Sequence, residues 1–521
     1  MNKYIILLFF IKYIFGLKAL EHQCIHDEMY QSYQQESFPS DDQISDSRNL
    51  QNKKARNMVI TYDMSYFQRL AQNQQNKQLI DICEKAIKLA NSYFSQLIKI
   101  IPKSELDMRY KPTSFTKCGE FEIPQKDKVK GKESDLHIYV QYKNEPQQSY
   151  MAYANRCQFI ERLGPTHGQV TFNFSKLETK DLNDPIQFKD LMQIVIHEMT
   201  HILGFSYADI PKWVNSEKNH HTEPTIQQKL RGIDTLFLKT PHVLQFARRY
   251  FNCPTLVGMP LENLGENSSK NSHWKTTVIE NEYMNASVST TQAYFSGFTA
   301  NLLRDTGFYA EIKESMEEQI YYGKGAGCQH VTGQCDSNKR EYCNPKTDDG
   351  LCDYYHLASS ECKLGQFNEP NCNTFQIFHN AKCWDVNSNL NKQGAQNVIG
   401  VKFGNDSRCF NSSLRINEYK SQKATTQISG ECYKYECNSN GTQVSIYVGK
   451  TKVKVVCTKN LEKMTVKGYQ GTIVCPENIN YFCGFKKFCP NFCSANGFCL
   501  NNKCNCANKY IGNDCSFKIP I

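Results

Sequence analysis

Ile194-Val195-Ile196-His197-Glu198-Met199-Thr200-His201-Ile202-Leu203-Gly204 reads as the last turns of one helix. Asn183-Asp184-Pro185 ahead of it supplies an N-cap and a proline suited to the first helical position, and Gly204 supplies the stop. His197 and His201 are four residues apart, so both imidazoles leave one face, about 6 Å apart along the axis. With Gln193 and Gly204 they form a polar stripe on a helix otherwise made of Leu, Met, Ile and Val. A helix that apolar belongs in a core, where two unpaired histidines are costly. A metal ion removes that cost, and His-Glu-x-x-His on a helix is the two-ligand half of a zinc peptidase site.

Outward from this helix, composition narrows the setting. The chain has 521 residues, long enough for more than one domain. Its 24 cysteines concentrate after residue 327, a distribution that belongs to an oxidising, secreted or lumenal compartment. The net charge of +9 is spread along the chain without basic blocks, which speaks against nucleic-acid binding. Met1-Asn2-Lys3 and the apolar run Tyr4 to Ile11, interrupted by Lys12 and resumed weakly to Leu17, read as a signal peptide, too short to span a membrane. No later segment reaches spanning length, and Cys515 to Ile521 lacks the tail of a lipid-anchor signal. Asn-x-Ser/Thr triplets at Asn173, Asn267, Asn285, Asn405, Asn411 and Asn440 are compatible with export.

Residues 20–56 are polar and end in Lys53-Lys54-Ala55-Arg56, the composition of a loosely folded pro-segment with a basic processing site. Within it stands His22-Gln23-Cys24-Ile25-His26-Asp27. From the residues alone, Cys24 either places a thiolate on the metal or pairs with a distant cysteine. Downstream, Met58 to Tyr62 reads as a strand, Ile80 to Ile101 as a long amphipathic helix, and Leu136 to Val140 and Gln169 to Phe174 as two more strands. Phe205 to Lys270 is loop-rich, and a helix is expected from Thr291 to about Thr306. Beyond Cys328 little regular structure is legible, and disulfides are expected to carry stability at ~2–4 kcal/mol each. The spacing of Cys489, Cys493, Cys499, Cys504, Cys506 and Cys515 resembles an EGF-like module, whose usual pattern implies the pairs Cys489–Cys499, Cys493–Cys504 and Cys506–Cys515.

A catalytic zinc takes three protein ligands and leaves one position for water. In thermolysin-like enzymes the third is a glutamate on a following helix, for which Glu217 and Glu223 are candidates by distance. In metzincins it is a histidine six residues after the second, where this chain has Tyr207. Gly204 nevertheless stands at the metzincin glycine. The chain resembles leishmanolysin-like peptidases, metzincins in which a long insertion precedes the third histidine. The matching stretches are His197 to Phe205, Asn271-Ser272-His273-Trp274, Asn281-Glu282-Tyr283-Met284, Leu302 to Tyr309 and Tyr322 to Cys328. The resemblance covers most of residues 22–365. It implies that His273 is the third ligand, that Met284 is the Met-turn methionine beneath the metal, and that Cys24 is a cysteine switch holding a precursor latent. It also implies a Cys118–Cys157 disulfide. Setting Cys24 aside leaves an odd number of cysteines, and Cys83, on the core face of its helix, is the candidate free thiol.

The expected fold class is α+β: a metzincin-type zinc peptidase domain (a mixed sheet plus the active-site helix), a disulfide-rich C-terminal domain and a small EGF-like module. The expected boundaries are a signal peptide at 1–19, a pro-segment at 20–56, catalytic subdomains at 57–204 and 205–310, a cysteine-rich domain at 311–484 and the EGF-like module at 485–521. The expected activity is hydrolysis of protein or peptide substrates by a secreted or cell-surface zinc endopeptidase. One Zn2+ is held by His197, His201 and His273, with Glu198 as general base. The family resemblance also implies an edge strand near Gln169 to Phe174 along which an extended peptide aligns. The alternative is an adhesion or matrix-binding protein that uses the peptidase fold as a scaffold and binds a partner through the EGF-like end. The intact ligands and Glu198 speak against it.

Overall fold

In the computed structural model, which describes residues 22–32, 36–38, 54–71, 73–111, 116–265, 270–287, 292–388, 399–417, 427–449 and 453–520, one five-stranded sheet positions the site. The expected signal peptide and the Asn267 sequon lie outside these residues. In chain order the elements around the site are α1 (His26–Ser32), β1 (Glu36–Phe38), β2 (Ile60–Asp63), α2 (Gln74–Leu97), β3 (Leu136–Lys143), β4 (Ala152–Ile160), β5 (Gly164–Asn173), α3 (Pro185–Leu203), α4 (Pro241–Phe251) and α5 (Gly297–Asp305). The strand order is β1-β4-β5-β3-β2. β2, β3 and β5 run parallel, with Ile60 opposite Leu136 and His137 opposite His167. β4 runs antiparallel to β5, with Tyr153 opposite Thr171, and β1 adds to its far side in parallel.

The strand expected at 169–174 is therefore not an edge. It belongs to β5, paired along its length with β3 and β4, while the outer side of β4 is paired only by the short β1, at Gln158–Ile160. Alternation shows which residues share a face but not how many strands flank them.

One face of the sheet, with Ile138, Val140, Ala152, Ala154, Val170 and Phe172, is apolar and lies against α3. The approach is close enough that a Cβ on Gly168 would meet the Ile202 side chain at 2.8 Å. The opposite face carries His137, Tyr139, Gln141, Asn155, His167, Gln169 and Thr171, all buried. The Tyr139 hydroxyl donates to Asp127 (2.9 Å) and the Gln141 amide to the Cys118 carbonyl (2.7 Å), while the Cys118–Cys157 disulfide ties the covering segment to β4. A sheet covered on both sides accounts for strands buried at nearly every position.

The long helix begins earlier and ends sooner than its periodicity suggests. Asn73 caps α2 by accepting from the Asn76 N–H, and the helix stops at Leu97 because Ile98–Ile100 pair as a strand with Arg56–Asn57 and with Glu311–Ile312. Ile98 and Ile100 continue the apolar stripe, so only long-range pairing shows the boundary. α5 likewise starts at Gly297, where Ser296 accepts from the Phe298 N–H, rather than at Thr291.

The described chain divides into two compact units. The first comprises residues 21–318, 323–333 and 492–521, the second 319–322 and 334–491 apart from the extreme N-terminus. The second unit holds more regular structure than expected. Its six-stranded sheet runs in the order Val453–Cys457, Val444–Val448, Ser429–Cys437, Ser407–Ser412, Ile473–Val474 and Lys463–Met464. Phe410, Tyr433, Val444, Ile446, Val448 and Phe482 form an apolar core there, beside disulfides such as Cys352–Cys409 and Cys383–Cys432. In the first unit, Phe498 packs edge-on against Tyr93 of α2 at 5.4 Å, and Cys493–Cys504 and Cys506–Cys515 are bonded. Cys24 and Cys83 are the free cysteines, both buried. Two sequons are unsuited to glycans: the Asn173 amide donates to the Glu145 and Tyr150 carbonyls, the Asn285 amide to those of Trp274 and Ile279, and both residues are buried.

Candidate metal centre

Asp184 caps α3 by accepting from the Ile186 and Gln187 N–H groups at 3.0 Å each, with Pro185 in the first helical turn. The helix delivers His197, Glu198 and His201 into the interior and ends at Gly204, whose φ of +134° only glycine adopts readily. That turn aims the Phe205 carbonyl back at His201 Nδ1 (2.6 Å), while His197 Nδ1 meets the Tyr283 carbonyl (2.6 Å). A carbonyl only accepts, so both Nδ1 atoms carry the proton and both Nε2 atoms present lone pairs. Those Nε2 atoms are 3.1 Å apart, and His273 Nε2 lies 3.3 Å from that of His197.

His273 reaches this point from a separate loop. Its carbonyl accepts from the Glu262 N–H (2.8 Å), and the Trp274 N–H next to it donates to the Met284 carbonyl (3.1 Å). Glu282 fastens the Met284 turn by accepting from the Met284 N–H (2.6 Å), the Ser296 hydroxyl (2.9 Å) and the Thr299 hydroxyl (2.6 Å). Met284 is fully buried. The fourth atom is Cys24 Sγ, 3.4 Å from His201 Nε2, and the four donor atoms all lie within 4.8 Å of one another.

Lone pairs facing each other at this range repel unless a cation lies between them. A tetrahedral zinc with nitrogen ligands near 2.0–2.1 Å has nitrogen–nitrogen edges of about 3.3–3.4 Å, and the two nitrogen–nitrogen spacings of 3.1 and 3.3 Å are close to that figure. The donor set therefore fits zinc. Burial pushes His197 down to about 4 and His201 further below its ordinary value, which keeps the imidazoles neutral as metal ligands require. Burial also pushes the Cys24 thiol up, with the nearby Glu198 charge adding to it, so this thiol ionises only beside a cation.

Glu198 points from the same helix with one oxygen on the Ala154 N–H (3.0 Å) and the other 3.3 Å from His22 Nε2. His22 Nδ1 accepts from the Met151 N–H (3.1 Å), so Nε2 is the protonated nitrogen and donates to Glu198. Burial pushes the Glu198 carboxyl up to about 7, opposed by His197. His26 stacks on the His201 ring at 4.1 Å, donates from Nδ1 to the Ala154 carbonyl (2.8 Å) and accepts from Ser206 (3.0 Å). Asp27 accepts from the Ser272 hydroxyl, which itself accepts from the Tyr207 N–H (2.9 Å).

The structure thus brings together His197, Glu198, His201, His273, Cys24 and the Met284 turn. It leaves out the two thermolysin-type candidates: Glu217 and Glu223 are exposed, the latter paired with Lys239. Tyr207, at the short metzincin position, has a half-exposed ring. His221 bonds the Asp305 carbonyl and His242 the Asp305 carboxylate. Unforeseen were Ala154, Ser272 and the Glu262–Lys275 pair. Ala154 acts through its backbone, for which no side-chain signal exists.

A buried cluster of three histidines, two of them with an adjacent carboxylate on a helix under a mixed sheet and the third from a loop, is the constellation of a metallopeptidase. The family profile described as leishmanolysin matches residues 70–485, and the chain belongs to that family. It is 28% identical over 369 residues to the Ciliated left-right organizer metallopeptidase of Danio rerio, covering 66% of this chain and 55% of the relative. The Mus musculus protein of that name is 26% identical over 368 residues, covering 66% and 50%. Leishmanolysin of Leishmania tropica is 24% identical over 276 residues, covering 51% and 39%. The chain spans about half the length of the first of these relatives.

Proposed function

We propose that this protein is a zinc-dependent metalloendopeptidase of the metzincin type, made as a latent precursor, with one Zn2+ held by His197, His201 and His273. The convergence of three imidazoles beside a Glu198 pinned by Ala154 carries the reading. Zinc in such a site polarises the scissile carbonyl and lowers the pKa of a water. Glu198 would take a proton from the attacking water and pass it to the leaving amine. The Ala154 N–H holds one carboxylate oxygen in place, leaving the other to move the proton once His22 has departed. The outward edge of β4, where β1 pairs at Gln158–Ile160, is the natural place for an extended peptide after the pro-segment leaves.

In the precursor, Cys24 would supply the fourth donor beside the three imidazoles and so keep a water out. His22 occupies the base, and His26 and Asp27 fasten the segment to Ala154, Ser206 and Ser272. The 1–19 signal peptide, the 20–56 pro-segment, the catalytic subdomains at 57–204 and 205–310, the cysteine-rich domain at 311–484 and an EGF-like module at 485–521 complete the proposal, with export to the cell exterior or surface. All cysteines except Cys24 and Cys83 are disulfide-bonded, and among the described residues no helix is long and apolar enough to cross a membrane. An adhesive role for the C-terminal end is tested by deleting residues 485–521: surface binding should fall while hydrolysis of a small peptide persists.

The test of the peptidase reading is Glu198→Ala in the processed protein. Zinc content should persist while peptide hydrolysis collapses, and unchanged hydrolysis overturns the assignment. Cys24→Ser should raise the activity of the uncleaved precursor, and full latency in that variant refutes the thiolate-on-metal account.

A further inference from the structure

The pro-segment covers the outer side of β4 and runs in the direction of that strand. His22 meets Met151, His26 meets Ala154, and Glu36–Phe38 pair with Gln158–Ile160. It therefore fills the channel in which a peptide would lie, and its side chains report what that channel accepts. Most of those near the metal are polar and hydrogen-bonded. Ile25, next to the cysteine that reaches the metal cluster, is the exception: it packs against Tyr150 and Tyr153, with Met29 alongside. The two rings meet edge-on at 5.2 Å and are fully buried beneath this cover.

The groups that hold these rings in place lie outside the pro-segment. The Tyr150 hydroxyl donates to Glu145, its carbonyl accepts from the Asn173 amide (3.2 Å), and Tyr153 is paired with Thr171 in the sheet. Lys143 and Glu145 form an ion pair at 3.4 Å, with the Lys143 ammonium 5.9 Å from the centre of the Tyr153 ring. The local charges cancel there, and the seat has aromatic walls. Loss of the pro-segment would uncover an apolar seat one residue along the chain from Cys24, the residue that joins the candidate metal ligands.

We infer that Tyr150 and Tyr153 floor a specificity pocket that takes one aliphatic substrate side chain of the size of Ile or Met, on the same peptide whose bond is cut at the candidate centre. This rests on the peptidase reading and adds to it a class of substrate: peptides with an unbranched or β-branched aliphatic residue at one defined position near the scissile bond.

The experiment uses processed full-length protein and a peptide series varied at each position from three residues before to three after the scissile bond, with Ile, Met, Gly, Asp or Lys. One position should favour Ile and Met over Gly by about tenfold or more in kcat/KM, the discrimination an apolar pocket gives. Tyr153→Ala should bring that ratio close to one, and Tyr153→Phe should retain it. A second arm needs no variant of the enzyme. Labelled peptides of residues 22–32 carrying Cys24→Ser are bound to the processed protein with and without Ile25→Ser, and the second change should weaken binding about tenfold or more. A ratio unmoved by Tyr153→Ala, or equal binding of the two peptides, overturns the pocket. If no peptide is cleaved although zinc is bound, the peptidase reading fails instead, and the binding arm still decides the pocket.

Discussion

Glu262→Gln should release the third candidate ligand without touching it. Glu262 and Lys275 are both wholly buried and form an ion pair at 2.6 Å. The carboxylate also accepts from the N–H groups of Asn263 (3.0 Å), Leu264 (3.1 Å) and Thr276 (3.1 Å). The Glu262 main chain binds His273 and Asn271 directly, with N–H to the His273 carbonyl and carbonyl from the Asn271 N–H, each 2.8 Å. The side chain and main chain of Glu262 together close the base of the loop that ends at His273. Glutamine keeps the shape, removes the charge opposite Lys275 and turns one acceptor into a donor facing N–H groups. Breaking a buried ion pair from one side costs about 3–5 kcal/mol, and the lost backbone contacts are part of that figure rather than additional to it. Removing a group that orients a metal ligand lowers metal affinity by about 10- to 100-fold. The assay is urea unfolding of zinc-free processed protein read from Trp274 emission, with Trp213 and Trp384 replaced by Phe, followed by zinc competition with a chelator. Glu262→Leu combined with Lys275→Met should recover most of the stability, because an apolar pair removes both charges together. A change below about 1 kcal/mol with unaltered zinc affinity refutes the reasoning.

Gly204→Ala places a Cβ 3.0 Å from the Thr306 methyl group at a φ of +134°. The strain of about 1–3 kcal/mol should displace the Phe205 carbonyl from His201 and speed zinc loss during dialysis against a chelator. His242, in the first turn of α4 with its ring against Asp305, has its pKa raised chiefly by the hydrogen bond to that carboxylate. Its contribution is complete below the unfolded-state value and is lost as pH rises through the higher folded value. The side chain is more than half exposed, so solvent screening holds the effect below about 1 kcal/mol. His242→Gln should therefore lower the denaturation midpoint at pH 5.5 more than at pH 8.5, and equal effects at the two pH values count against it.

Local chemistry was the legible part. The α3 helix carries its own cap at Asp184, its own stop at Gly204 and its histidines at a spacing that fixes one face, and all three depend only on neighbours a few residues away. The Cys118–Cys157 bridge and the unpaired Cys83 were legible too, the first from family resemblance and the second from helix periodicity and an odd cysteine count. The third histidine was reachable only through resemblance, because the long stretch between His201 and His273 carries no spacing rule.

Tertiary structure decided whatever depends on what lies opposite. Strand alternation could not tell β5, paired along its length on both sides, from β4, whose outer side meets only the short β1, because both faces of this sheet are buried under different covers. The apolar stripe of α2 runs past Leu97, and pairing with Arg56–Asn57 and Glu311–Ile312, not periodicity, ends the helix. The charges of Glu262 and Lys275 give no sign in sequence that they are buried against each other. The sequence by itself determined the chemistry that α3 can hold, because helix geometry is local. Only the folded chain decided which strand, which loop and which N-terminal side chains complete it, because hydrogen-bond pairing and burial are properties of partners far apart in sequence.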